Sequence, residues 1–282
     1  MPLRDILMHI DSYPEATPSS AIGQAVGFVA AIGGTLSGLA VEVSIPLHSN
    51  RVADYLIGLS KMVREEEARS LVACQAGLAE FRTQAHAAGV LGQAMIEKAD
   101  LYLLSDHVAM RARTRDLCIV ALAGPYDGQI EVAETVLFGS GRPVLVFRVG
   151  QADLQARKPK SAVVAWDGSQ WAARAMADAL PILSQARQVR VLTVLNDKAS
   201  TQAGLCAEAV RHLEAHGVAA VADEVDANGR HIGEVFDAYV EGHQPDLLVM
   251  GAYGHTRLRE FILGGATEHV LRKPKAPLFL SH

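Results

Sequence analysis

Asp246-Leu247-Leu248-Val249-Met250 decides the fold, because the same phrase stands earlier in the chain as Asp116-Leu117-Cys118-Ile119-Val120. Each copy is an acidic turn residue followed by an unbroken apolar run, the pattern of a strand buried on both faces of a parallel sheet. Downstream, each copy has a helix-length segment, Ala133-Glu134-Thr135-Val136-Leu137 in one and Thr267-Glu268-His269-Val270-Leu271 in the other. Both then close on a proline-led strand, Pro143-Val144-Leu145-Val146-Phe147 and Pro277-Leu278-Phe279-Leu280. Upstream, Leu3 to Ile10 is a short apolar run ending at Asp11, and Ser161 to Trp166 is another ending at Asp167. Matching offsets over this distance mean duplication. The units are residues 1–149 and 160–282, joined by the polar stretch Gly150 to Lys160.

Between these anchors the second unit alternates strand and helix. Helices are expected over Trp171–Leu183, Ala203–His216 (stopped by Gly217) and Ile232–Glu241. Strands are expected over Val189–Leu195, Val218–Val225, Leu247–Met250 and Pro277–Leu280. The first unit follows the same order with a longer helical region over Arg51–Ala88. The predicted fold class is α/β: two similar domains, each with a five-stranded, mostly parallel sheet sandwiched by helices.

Composition narrows the function. Half of the 282 residues are hydrophobic, and 31 acidic residues face 26 basic ones. No dense Lys/Arg run marks a nucleic-acid surface, and Arg111, Arg113 and Arg115 read as a solvated helix end. Three dispersed cysteines without a CxxC spacing point to a reducing compartment, and Cys118 reads as a buried, inert thiol. No uncharged apolar stretch reaches the ~18 residues of a membrane span. The expectation is a soluble, cytoplasmic protein with no nucleic-acid or membrane partner.

The fourth strand of the second unit runs into a glycine-rich segment, Met250-Gly251-Ala252-Tyr253-Gly254, which ends in Gly264-Gly265-Ala266-Thr267. In an open α/β sheet, ligands sit outside the carboxyl ends of the strands. Free amides at the start of the following helix, near Thr267, suit an anion, and Thr267 can cap that helix or donate to a phosphate oxygen. The spacing is neither that of a P-loop nor that of a dinucleotide fingerprint.

Gly251-x2-Gly254-x9-Gly264, followed by a small residue and Thr267, resembles the ATP-binding signature of the universal stress protein family, whose fold is Rossmann-like, of the adenine nucleotide α-hydrolase type. The resemblance is specific over 160–282 and weaker over 1–149. It implies a site with Ala165, Trp166 and Asp167 on the adenine and ribose side and Val194 offering backbone contacts to adenine. Met250 and Gly251 would border the ribose, with Gly254, Gly264, Gly265, Ala266 and Thr267 around the phosphates. The implied ligand is ATP, with or without Mg, held as a regulatory ligand by a non-enzymatic stress-response protein. The resemblance also implies that the last strands of the units, Val144–Val149 and Leu278–Ser281, pair antiparallel into an intramolecular pseudo-dimer, which leaves room for a homodimer of the whole chain. Two features depart from the pattern: Gly265 stands where ATP-binding members have Ser or Thr, and Trp166 either stacks on adenine or fills its pocket.

The first unit keeps only the second glycine, in Val120-Ala121-Leu122-Ala123-Gly124, and places Glu131 where phosphate would sit. No nucleotide is expected there, although Asp11 survives. Gly139-Ser140-Gly141 reads as a helix-ending turn. His212 and His216 have a metal-compatible spacing but lack an HExxH pattern or a third ligand, and Ser169 lacks a nucleophile elbow. His255, inside the glycine segment, reads equally as a phosphate or partner contact and as a surface residue. The rival readings are a nucleotide-free interaction scaffold of the same fold and a slow ATPase.

Overall fold

The computed structural model describes residues 3–46, 58–124, 128–196, 202–252 and 265–282, and the backbone alone of 254–257 and 260–263. In the first unit the strands are β1 (Asp5–Ile10), β2 (Thr35–Ser44), β3 (Leu91–Asp100), β4 (Leu117–Leu122) and β5 (Val144–Arg148). The helices are α1 (Ser19–Ile32), α2 (Leu59–Ala87), α3 (Leu104–Ala112) and α4 (Gly128–Gly139). In the second unit β6 (Ser161–Ala165), β7 (Gln188–Leu195), β8 (Ala220–Asp226) and β9 (Leu247–Gly251) alternate with α5 (Gln170–Leu183), α6 (Cys206–Ala215) and α7 (Ile232–His243). A hairpin of β10 (Gly254–Arg257) and β11 (Glu260–Leu263) then precedes α8 (Gly265–Arg272) and β12 (Leu278–Ser281). The first part of the predicted Arg51–Ala88 helix, residues 51–57, lies outside the described residues.

Ten strands form one sheet in the order β3-β2-β1-β4-β5-β12-β9-β6-β7-β8. Each unit contributes the same internal order, its first strand flanked by its second and fourth. Within a unit the pairs are parallel, as crossover helices require. Between units β5 and β12 run antiparallel, with Leu278 opposite Val146, Phe279 opposite Leu145 and Leu280 opposite Val144. The central strands are apolar throughout because both faces are covered: all six residues of β4 and all four of β12 are buried. One face is filled by Ile6, Phe28, Phe81, Leu145, Ile182 and Phe279 from both units, the other by Leu7, Val136, Val144, Val240, Leu271 and Leu278. The outer strands β3 and β8 carry Glu97, Lys98, Glu224 and Asp226, and their mixed burial fits sheet edges.

The duplication is written into hydrogen bonds as well as topology. Asp116, just before β4, accepts the amides of Arg4 (2.8 Å) and Asp5 (2.9 Å) at the start of β1. Asp246, just before β9, accepts those of Lys160 (2.7 Å) and Ser161 (3.0 Å) at the start of β6. Each carboxylate thus satisfies amides at the amino edge of the neighbouring central strand. Asp246 is also held by a bidentate Arg157 guanidinium at 2.7 and 3.2 Å. The connecting stretch is docked on α1: Leu154 is buried and donates its amide to Gln24.

Two expectations need correction. The segment between Gly251 and Gly265, read as an open loop, contains a hairpin in which Gly254 pairs with Leu263 and Arg257 with Glu260. Thr256, Phe261 and Ile262 are good strand formers, and that propensity prevails over the glycine at its start. The last helix starts at Gly265 rather than near Thr267, so Thr267 lies inside its first turn.

Burial pushes the Asp246 carboxyl up, but the Arg157 guanidinium and the Ser161 and Lys160 amides outweigh it and hold the group below the usual carboxylate range. A depressed folded-state pKa gives stability above the unfolded value that disappears as pH falls through the folded one. Asp246→Asn should therefore lower the urea midpoint at pH 7, and the gap from wild type should close as the solution is acidified below the ordinary carboxylate range. Gly251 supplies a second test. A Cβ there would lie 2.3 Å from the Trp171 carbonyl carbon, whereas one at Gly265 would meet nothing within 4 Å among the described residues. Gly251→Ala should cost about 1–3 kcal/mol in chemical denaturation, and Gly265→Ala should cost nothing.

Candidate functional site

The residues singled out in the second unit converge on one rim. Ala165 ends β6, Val194 lies near the end of β7, and Met250 and Gly251 end β9. Because β6 pairs with both β7 and β9, these three carboxyl ends are adjacent. Ala165, Val194 and Met250 are buried on the sheet face covered by α7 and α8, so they form an apolar floor. Gly265 is exposed at the start of α8, with Ala266 half-buried behind it. The first-turn amides of α8 have no intrahelical acceptor. Gly264 lies outside the described residues, as do the side chains of Gly254's hairpin, His255 included.

Thr267 locks the helix to the strand. It is buried, and its hydroxyl donates to the Gly251 carbonyl over 3.5 Å. In this arrangement the hydroxyl faces the protein rather than the rim. Gly251 has a packing reason of its own, since the backbone of Trp171 in the first turn of α5 occupies the space where a side chain would go.

At the other end of the rim, Trp166 is tied on three sides. Its amide donates to the Leu192 carbonyl (2.8 Å), prolonging β6 by one residue. Its carbonyl accepts from the Thr193 hydroxyl (2.7 Å), and its indole Nε1–H donates to the Leu205 carbonyl (3.1 Å). Of the two roles open to Trp166, filling the pocket is the one these bonds favour. Asp167 follows with its carboxylate on the Ser169 amide (3.0 Å), and Ser169 caps α5 through the Ala172 amide (3.2 Å). The turn is shaped by Gly168 at φ +74°, against which Leu205 packs.

Four contributors had little or no local signal in the sequence. Leu205 and Trp171 act through backbone atoms that tertiary packing alone brings close. Thr193 was hidden inside a strand, where a buried hydroxyl looks like any β-branched residue. His282 donates Nδ1–H to the Ala252 carbonyl (2.8 Å), lies edge-on to Phe138 of α4 and stands near-parallel to Trp171. It thereby links the rim to the first unit.

The other candidates have structural surroundings. Cys74, Cys118 and Cys206 are buried, and burial pushes the Cys118 thiol up to about 12, which keeps it an unreactive thiol. His212 and His216 meet ring to ring at 4.8 Å at the end of α6, where His216 is the residue just past the helix. Among the described residues no three His, Cys, Asp or Glu side chains stand close enough to hold a metal ion. No helix is long and apolar enough to cross a membrane among the same residues.

Residues 159–282 match the model of the universal stress protein family. A universal stress protein of Synechocystis is 42% identical over 55 residues, 20% of this chain. The match spans 19% of that relative's length. Among solved structures, a universal stress protein from Archaeoglobus fulgidus superposes with a TM-score of 0.67 at 18% identity, covering 98% of this chain and 97% of that one. A putative universal stress protein from Pseudomonas aeruginosa does so with a TM-score of 0.56 at 16% identity, covering 99% and 93%. At these identities the structures speak for the shared fold across both units. Residues 159–282 are thus a universal stress protein domain, and the first unit repeats its fold on the far side of a common sheet.

Proposed function

We propose that the second unit binds an adenine nucleotide, ATP above all, as a regulatory ligand, and that the chain acts as a non-enzymatic stress-response protein of the cytoplasm. The observation that carries this reading is the junction of α8 with β9. Thr267 fastens the helix start beside the carboxyl ends of β6, β7 and β9, where the first-turn amides and the helix dipole favour a polyanion. Gly265 is exposed among the described residues, and its amide and that of Ala266 are the donors a phosphate group would meet, with Gly254 and Gly264 nearby in sequence. Ala165, Val194 and Met250 fit the apolar side of a base, and Asp167 suits a ribose hydroxyl. The nucleotide would supply charge and bulk to the rim, and Mg would accompany its phosphates.

Gly265 removes the hydroxyl that Ser or Thr would give a phosphate oxygen. A charge-assisted hydrogen bond is worth about 1.5–3 kcal/mol, so binding is weakened relative to a site that keeps it. A second reading, a scaffold of the same fold that binds no nucleotide, is favoured by the tethering of Trp166 to Leu205 at the base end of the rim.

Isothermal titration with Mg-ATP and a non-hydrolysable analogue separates the two. The proposal expects saturable heat with both at one site per chain and no product on assay. It also expects Gly254→Val to remove binding and Gly124→Val to leave it unchanged. Absence of heat from the folded chain selects the scaffold, and steady product formation makes the protein an ATPase.

A further inference from the structure

The helix whose start is the proposed phosphate site is held at its other end by the first unit. Because β5 and β12 run antiparallel, the end of β5 lies beside the last turn of α8, and the Arg148 guanidinium donates to the Arg272 carbonyl over 3.1 Å. That carbonyl is one of those that a helix end leaves without an intrahelical donor. A cation placed there also complements the helix dipole, whose positive end is the start at Gly265. The Arg272 side chain pairs with Glu268 (3.1 Å), which offsets its repulsion of the incoming guanidinium.

The contact is one of a pseudo-symmetric pair. Counted from the prolines that lead β5 and β12, Arg148 and His282 hold the same place, and Phe138 of α4 matches Arg272 of α8. Arg148 reaches Arg272, and His282 reaches Phe138 edge-on at 4.9 Å. Each unit thus lays the residue at the end of its last strand on the final turn of the other unit's last helix. The chemistry has diverged: an aromatic contact on α4, a cationic cap on α8. The rest of α8 is tied as well. Thr267 fixes its first turn to Gly251, and the His269 ring lies on Gly233 of α7, where an added Cβ would come 2.3 Å from the ring. His269 Nε2–H donates to Asp237 (3.0 Å). These ties, to β9, α7 and β5, hold a helix of eight residues that is too short to be stable alone.

We propose, resting on the nucleotide reading of that site, that Arg148 is a positioning residue for it and that the first unit thereby sets the affinity of the second. Arg148 stands about 12 Å from the phosphate end, the length of eight helical residues, so it acts through α8. Its bond keeps the helix formed from the last carbonyl back to the amides that receive phosphate. A polyanion at the start and a cation at the end favour the same helix, so each strengthens the other. A first unit without a phosphate loop of its own gains a role from this contact.

The test is calorimetric titration of the full chain with Mg-ATP, paired with hydrogen exchange of peptide 265–272 in the nucleotide-free chain. Arg148→Ala should lower ATP affinity about fivefold and speed exchange of that peptide, while peptide 247–251 of β9 stays slow. Arg148→Lys keeps a cationic donor and should restore most of both. Arg142→Ala removes the same charge from the first unit, where the guanidinium bonds the Arg113 carbonyl (3.1 Å), and should change neither. Full affinity in Arg148→Ala, no rescue by lysine, or an equal loss in Arg142→Ala would each overturn the assignment. If wild type gives no heat with Mg-ATP, the nucleotide reading fails on its own. Exchange then decides the hold on α8: a faster rate at 265–272 in Arg148→Ala alone upholds it, and an unchanged rate overturns it.

Discussion

The antiparallel pairing of β5 with β12 is the contact on which the rest of the molecule depends. In either unit taken alone the fifth strand would end its sheet with a row of unpaired amides and carbonyls flanked by large apolar side chains. Pairing joins the two rows and buries Leu145 and Phe279 opposite each other. Side chains of this kind contribute roughly 1.5–3 kcal/mol each when withdrawn from water. The pair sits at the pseudo-twofold centre of a ten-stranded sheet whose open edges are β3 and β8. A twofold that reverses strand direction also sends the carboxyl ends of the units to opposite rims. The two rims therefore face away from each other, joined through a continuous core rather than across a shared cleft.

That separation lets the copies diverge. The second unit keeps Ala165 and Gly251 at the ends of its central strands, where the first has His9 and Ala121. At the following helix, exposed Gly265 stands where the first unit places Glu131. Each exchange moves the first rim from amides and open space toward carboxylates and bulk. Electrostatics sets the two rims apart: carboxylates such as Asp11 and Glu131 repel the polyphosphate that a helix start attracts. The scaffold, by contrast, is conserved between the units down to Asp116 and Asp246, whose bonds to the neighbouring strand do not involve the rim.

Much of the architecture is legible in the chain because it rests on short-range pattern. The apolar runs after Asp116 and Asp246 announce buried parallel strands, and Gly217 ends a helix at φ +75° by local conformational need. The family signature around Gly251 likewise points to residues that the structure gathers at one rim. What sequence could not convey was which atoms meet there. Gly251 reads as a ligand-approach glycine, yet the Trp171 backbone already fills its space. Trp166 left two roles open until the carbonyl of Leu205, 39 positions away, appeared as its partner. Thr267 looks like a cap for the helix, and the earlier start at Gly265 turns its hydroxyl inward. Asp11 alone carries little weight as a site residue, because its pairing with the buried His9 over 3.0 Å is a property of packing.

The most direct measurement of the central seam is hydrogen exchange followed by mass spectrometry on peptides spanning 144–148 and 278–281. Joined as the middle of one sheet, both peptides should exchange only with global unfolding, at a common rate and as slowly as peptides from β1 and β6. Rapid exchange of the two peptides while β1 and β6 remain protected would show two separate sheets with free edges, and the account of a single ten-stranded core would be wrong.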